Sequence, residues 1–161
     1  LEVMGNGSLN YTVKGICIGI KVTWHYTPPT NGGDTFTSIK KGSKATLKIV
    51  QDEKNGFVKE LYIQKEPDID NRTFEAQLQK TVEQLQITYP FLSVKNKKNG
   101  TYLIDIPQEK RLGHEEHFSK VAKAFLHYVH NQDMPEWENE NTLAKYYITT
   151  TAVEMAKKGN K

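Results

Sequence analysis

The residues best equipped for chemistry gather after Pro107, where Arg111-Leu112-Gly113-His114-Glu115-Glu116-His117-Phe118 leads into an amphipathic helix. Histidines at i and i+3 can share a metal. The zinc-protease pattern, however, sets them four apart, with the glutamate directly after the first; here Phe118 fills the required position and no third ligand stands nearby. The competing reading is a helix start, in which Gly113 supplies the bend and Glu115 and Glu116 complement the positive end of the dipole. His114 continues the Phe118 and Val121 face, so it points towards a sheet or the rim of a cleft, in reach of a ligand. Arg111 lies in the extended approach, where a guanidinium beside a helix N-terminus suits an anionic or polyhydroxylated ligand; a plain surface arginine is the alternative. Trp24 near the end of a long strand and Trp137 after a Pro-containing turn offer stacking faces for a sugar, or core and helix-joint packing. The candidate substrate-binding residues are therefore Arg111, His114, His117, Trp24 and Trp137, with no catalytic, cofactor-binding or metal residue assigned.

Other chemistries find no motif. Gly5-Asn6-Gly7 and Asn31-Gly32-Gly33 do not sit between a strand and a helix of a βαβ unit, so neither reads as a dinucleotide loop. No Gly-x-Ser-x-Gly elbow occurs. The single cysteine, Cys17, excludes an internal disulfide and a multi-cysteine metal site; its apolar strand context makes it a buried, inert thiol.

The elements that must position these residues change character along the chain. Leu9, Tyr11 and Val13 alternate, Lys14-Gly15 offers a turn, and Ile16, Ile18, Ile20, Val22, Trp24 and Tyr26 continue the period of two as a half-buried strand. A hairpin follows, from Asp34 to Lys40 and from Ala45 to Val50; Asn55-Gly56 then signals a tight turn into a strand from Val58 to Gln64. Helices take over afterwards. Asp68 to Asn71 caps a helix with Phe74, Leu78, Val82 and Leu85 on one stripe, and Pro90 ends it. A small hairpin pairs Leu92–Lys95 with Tyr102–Ile106. Phe118, Val121, Ala122, Phe125, Leu126 and Val129 then form the clearest core-facing stripe, with His127 on the exposed side. A last helix is expected from about Asn141 to Lys158, stopped by Gly159. Strands early and helices late give an α+β fold: a mostly antiparallel sheet, helices packed on one face, the other face open for oligomer or domain contacts.

Composition bounds the partners. A chain of 161 residues is one ordinary domain, and a net charge of +3 among 25% charged residues is too small an imbalance to imply nucleic acid or an anionic membrane. The lysines at 40, 41, 44 and 48, and at 95, 97 and 98, read as solvated hairpin tips. No apolar run is long enough to cross a membrane. The chain starts at Leu1 with a strand pattern close behind, so an excerpt from a longer polypeptide is expected.

The segment 111–118 resembles the late part of the Gfo/Idh/MocA-type oxidoreductases, as do Met134-Pro135-Glu136-Trp137-Glu138 and Ala144-Lys145-Tyr146-Tyr147-Ile148-Thr149-Thr150. The branch it is most similar to is the oxidoreductase C-terminal domain of Bacteroides-like bacteria; Gly33-Asp34-Thr35 and Lys41-Gly42-Ser43-Lys44-Ala45 extend the likeness over most of the chain. The resemblance implies a two-domain enzyme. An N-terminal Rossmann domain would bind NAD or NADP, this C-terminal α+β domain (1–161) would shape the pocket for a sugar, polyol or derivative, and the open sheet face would join subunits into a homo-oligomer. Two family features are missing. The Glu-Lys-Pro lysine segment has no counterpart, since Glu109-Lys110-Arg111 lacks the proline and Lys65-Glu66-Pro67 has the wrong order. The glycine-rich stretch with its downstream Asp and His is also absent, so no residue takes the hydride-transfer acid or base role and no turnover is expected of this chain alone.

That resemblance yields the leading expectation: Arg111, His114 and His117 line the cleft towards the nucleotide domain, and the sheet face carrying Lys21, Thr23 and Thr46 meets a partner subunit. Two rivals stand beside it. One is a free-standing carbohydrate- or protein-binding module using Trp24 or Trp137 as platform; the other is a metal hydrolase built on His114 and His117.

Overall fold

A computed structural model describes residues 5–30 and 32–159. Leu1, and Asn31 of the anticipated Thr30–Gly33 loop, lie outside the described residues. The chain divides into two compact units, Leu1–Tyr26 with Gly113–Lys161, and Thr27–Leu112.

In the first unit, β1 (Gly7–Val13) and β2 (Ile16–Val22) pair antiparallel from Gly7↔Val22 to Val13↔Ile16. Lys14 and Gly15, at φ 49 and 80, make the left-handed two-residue turn that matches strand twist. The strand expected to reach Tyr26 stops at Val22. Beyond it Asn6 competes for the backbone, its Oδ1 accepting from the N–H of Trp24 at 2.6 Å and of His25 at 3.4 Å. The apolar alternation is half-buried only in part: Leu9, Tyr11 and Ile18 are half-buried, whereas Ile16 is 67% exposed, and Cys17 is an exposed thiol rather than a buried one.

The same unit holds α2 (His114–Asn131) and α3 (Glu136–Gly159). α3 begins earlier than Asn141, just after Pro135, a residue whose fixed φ and missing donor suit a helix start. α2 ends with Gln132 in the left-handed region, its N–H bonded to the Tyr128 carbonyl. Neither helix buries a residue, so the expected core-facing stripe of α2 is exposed.

The second unit contains the core. Its sheet has the order β3-β4-β5-β7-β6 (Phe36–Lys41, Ala45–Gln51, Glu60–Lys65, Thr101–Asp105, Ser93–Asn96), every pair antiparallel. Helix α1 (Asn71–Gln86) connects β5 to the edge strand β6, and β7 returns between them. Asp70 caps α1, accepting from the N–H and the hydroxyl of Thr73, both at 2.8 Å. α1 covers the face carrying Tyr102: the Phe74 and Tyr102 rings lie 5.6 Å apart, and the Tyr102 hydroxyl donates to Glu75 at 2.9 Å. Val82, Tyr102 and Ile104 are buried on that side. Alternation sends Leu103 to the opposite face, in register with Tyr62 and Lys95. Asn55-Gly56 does not make the simple hairpin turn. Glu53–Asn55 forms one 3-10 turn capped by Asp52, and Gly56 (φ 63) closes it.

No one sheet carries Lys21, Thr23 and Thr46. Lys21 belongs to the two-stranded sheet, Thr23 lies past the end of β2, and Thr46 belongs to the five-stranded sheet, where it is 7% exposed and donates to Glu66 at 2.9 Å. The period of two places residues on a face only once the sheet to which each strand belongs is known.

Candidate functional site

The five residues singled out from the sequence are not gathered in one unit: Arg111 stands in Thr27–Leu112, and His114, His117, Trp24 and Trp137 stand in the other. Arg111 follows a single 3-10 turn over Gln108–Lys110 and ties the segment after β7 to the entry of β5. Its Nε donates to the Ile106 carbonyl at 2.9 Å and its Nη1 to the Lys59 carbonyl at 3.1 Å. A guanidinium carries five N–H donors, so these bonds position the group and leave donors for a ligand.

His114 and His117 occupy the first turn of α2 and both are exposed. The glutamates here do structural work, as helix-start chemistry requires: the Glu116 carboxylate accepts from the Gly113 N–H at 2.8 Å, reaching back over the cap. Among the described residues no three His, Cys, Asp or Glu side chains come together as a metal site would need. His127, exposed as its helix position implied, bonds Asp133 at 3.0 Å and Asn131 at 2.9 Å, securing the end of α2. Trp24 is 76% exposed and Trp137, in the first turn of α3, 54% exposed, so neither is a core tryptophan. Gly5 lies against Trp24, where an added Cβ would stand 3.4 Å from the indole.

The second unit carries a polar hollow that motif reading passed over. A cavity of about 420 Å³ is lined by Val50, Asp52, Lys54, Asn55, Glu60, Tyr62 and Lys97. Tyr62 donates to Glu60 at 2.5 Å. That carboxylate bond first, then burial and the nearby charges of Glu60 and Asp52, push the Tyr62 phenol up to about 12. The hydroxyl therefore stays protonated at neutral pH, a fixed donor rather than a base. Glu60 and Tyr62 stand two apart on a strand and so share a face, the one signal by which the sequence could have shown the pair. A second hollow of about 440 Å³ is lined by Gln64, Lys65, Pro67, Asn71, Asn99 and Gly100.

Lys65 settles what Lys65-Glu66-Pro67 does. It is 8% exposed, and its ammonium donates to the carbonyls of Glu66 at 3.0 Å, Pro67 at 3.4 Å and Ile69. An ammonium with three donors so engaged ties down the loop entering α1; it is not a free acid–base group.

These features define an α+β domain with polar surface hollows. The chain belongs to the family described as "Putative oxidoreductase C terminal domain", whose model matches residues 1–157. It is also similar to a solved structure, a putative oxidoreductase from Parabacteroides merdae, with 38% identity and a TM-score of 0.91. The match covers 96% of this chain and 35% of that one, so this chain spans about a third of its relative. No curated protein matches it.

Proposed function

We propose that this chain is the substrate-side and assembly domain of an NAD- or NADP-dependent oxidoreductase of the Gfo/Idh/MocA type, acting on a sugar, polyol or derivative. The observation that carries the reading is the family match over residues 1–157, joined to a relative of which the matching part is 35% of the chain. An N-terminal Rossmann domain of the parent supplies the nicotinamide cofactor and the hydride-transfer groups. Arg111, with donors to spare, and the exposed His114 and His117 are the polar contacts this chain offers to a hydroxylated substrate. The full-length enzyme works as a homo-oligomer.

Isothermal calorimetry of the purified chain with NAD and NADP tests the division of labour. No heat of binding is expected; micromolar binding would overturn the assignment. A second reading, a carbohydrate-binding module, draws on the exposure of Trp24 and Trp137. Substitution of each by alanine, followed by binding of immobilised polysaccharide, separates the two: binding that the intact chain shows and Trp24→Ala or Trp137→Ala abolishes favours the module.

A further inference from the structure

The turn between β6 and β7 holds three successive residues in the left-handed region: Lys98, Asn99 and Gly100, at φ 73, 50 and 71. Asparagine tolerates this conformation and glycine adopts it freely, whereas lysine is strained in it. Hydrogen bonds hold the turn in place. The Thr101 N–H donates to the Lys98 carbonyl at 2.9 Å, the Lys65 N–H to the Gly100 carbonyl at 2.8 Å, and Gln64 Nε2 to the Asn99 carbonyl at 3.1 Å. The positive φ demands glycine after Asn99, and that requirement creates a reactive dipeptide. With no side chain on Gly100 to obstruct the approach, its amide nitrogen can reach the carboxamide carbon of Asn99.

Asn-Gly recurs at 6–7, 31–32, 55–56 and 99–100, of which Asn31 lies outside the described residues. The fold treats the other pairs differently. Asn55 Oδ1 accepts from the Asp52 N–H at 2.8 Å, its Nδ2 donates to the Val50 carbonyl at 2.9 Å, and the Gly56 N–H donates to the Glu53 carbonyl at 3.1 Å. Both reacting groups are held there. The Asn6 carboxamide is engaged as well, accepting from the Trp24 N–H at 2.6 Å and bonded to the His25 ring. Asn99 is exposed, and among the described residues neither its carboxamide nor the Gly100 N–H has a hydrogen-bond partner.

We infer that Asn99 is a self-modification site, which converts to isoaspartate with water as the co-reactant and thereby loosens the β6–β7 turn. The Gly100 nitrogen loses its proton to hydroxide or water and bonds to Asn99 Cγ; the Cγ–Nδ2 bond breaks, and the side-chain nitrogen takes up a proton and leaves as ammonia. Water then opens the resulting succinimide. Cleavage at the Asn99 backbone carbonyl carbon gives isoaspartate, and cleavage at Cγ gives aspartate. Isoaspartate routes the main chain through Cβ and Cγ, which lengthens the strained turn by a carbon atom. The carbonyl that Gln64 held becomes a free carboxylate, in a turn that also carries Lys97 and Lys98, and the Gly100 carbonyl shifts from the Lys65 N–H. Asn99 and Gly100 line the second hollow, so the new charge stands at its wall.

Ageing the purified chain in warm, mildly alkaline buffer and mapping its peptides tests the inference. A glutamate-specific protease, cutting after Glu53, Glu60, Glu83 and Glu109, keeps Asn55 and Asn99 internal to their peptides. Tandem mass spectrometry should show Asn99 converting at least about tenfold faster than Asn55 or Asn6, a factor equivalent to about 1.4 kcal/mol of extra opening where the groups are held. In denaturant, where all three pairs are open, the rates should come within about threefold of one another. Enzymatic methylation of the free carboxylate identifies the isoaspartate. In aged protein the Lys65 amide should exchange deuterium about tenfold faster than in fresh protein, while Asn99→Asp, which carries the charge without the added atom, should keep the fresh rate. Equal conversion of Asn99 and Asn55 in the native chain, or an Asn99 that stays intact while Asn55 converts, would overturn the inference. So would aged, isoaspartate-containing protein whose Lys65 amide exchanges as slowly as before.

Discussion

Two stretches of this chain carry similar apolar patterns and meet different fates. In Thr27–Leu112 the stripe of α1 closes on the sheet, leaving Val82, Tyr102 and Ile104 at 3–8% exposure. In the other unit α2 carries a cleaner stripe and buries nothing. Binary pattern says which face must be covered; it does not say by what. The second unit holds a hydrophobic core, whereas neither helix of the first buries a residue.

The sharpest break between them should come from core truncation. Ile104→Ala is expected to cost about 2–5 kcal/mol, whereas Phe125→Ala in the isolated chain should stay within about 0.5 kcal/mol, both read from urea unfolding. Comparable losses would show that α2 is packed within this chain after all. Limited proteolysis should rank next. Sites between 114 and 159 are expected to be cut on the order of tenfold faster than sites in β5 or β7, because a segment with few buried contacts opens at low free energy. Uniform cleavage would erase the distinction.

Smaller effects probe the second unit. The Tyr62 phenol is raised by its bond to Glu60, and that of Tyr102 is raised by burial and then by Glu75. A raised folded-state value contributes stability that is complete below the ordinary phenol value and is lost as pH climbs through about 12 for Tyr62. Alkaline unfolding should therefore steepen there, and Tyr62→Phe should remove part of the step in an ultraviolet absorbance titration. Asp70 is the acid counterpart. The Thr73 N–H and hydroxyl hold its carboxyl below the usual value, so its contribution is present above that value and fades as pH falls through the lowered one. Asp70→Ala should lower the thermal midpoint slightly at neutral pH and flatten its acid limb, in calorimetry across pH.

Much of the fold was legible. The Lys14-Gly15 turn and a helix cap within Asp68–Asn71 are local signals, and the structure has both, the cap at Asp70. Errors came where a local rule met a non-local decision. The strand ran on to Tyr26 on pattern alone, but Asn6, distant in sequence, takes the N–H groups of Trp24 and His25. Alternation predicts a buried Cys17, and alternation cannot tell what covers the face of a strand. The site was less legible than the fold. The Arg111 bonds to Ile106 and Lys59 depend on a contact across the unit, and the Tyr62–Glu60 hollow forms only when β5 meets the turn after β4.

Turnover by the full-length polypeptide bears most directly on the function assigned here. With NAD or NADP and a panel of sugars and polyols, nicotinamide absorbance should change with the full-length protein and stay flat with this chain alone. Turnover by this chain alone, or a full-length protein that binds no nicotinamide, would contradict the account.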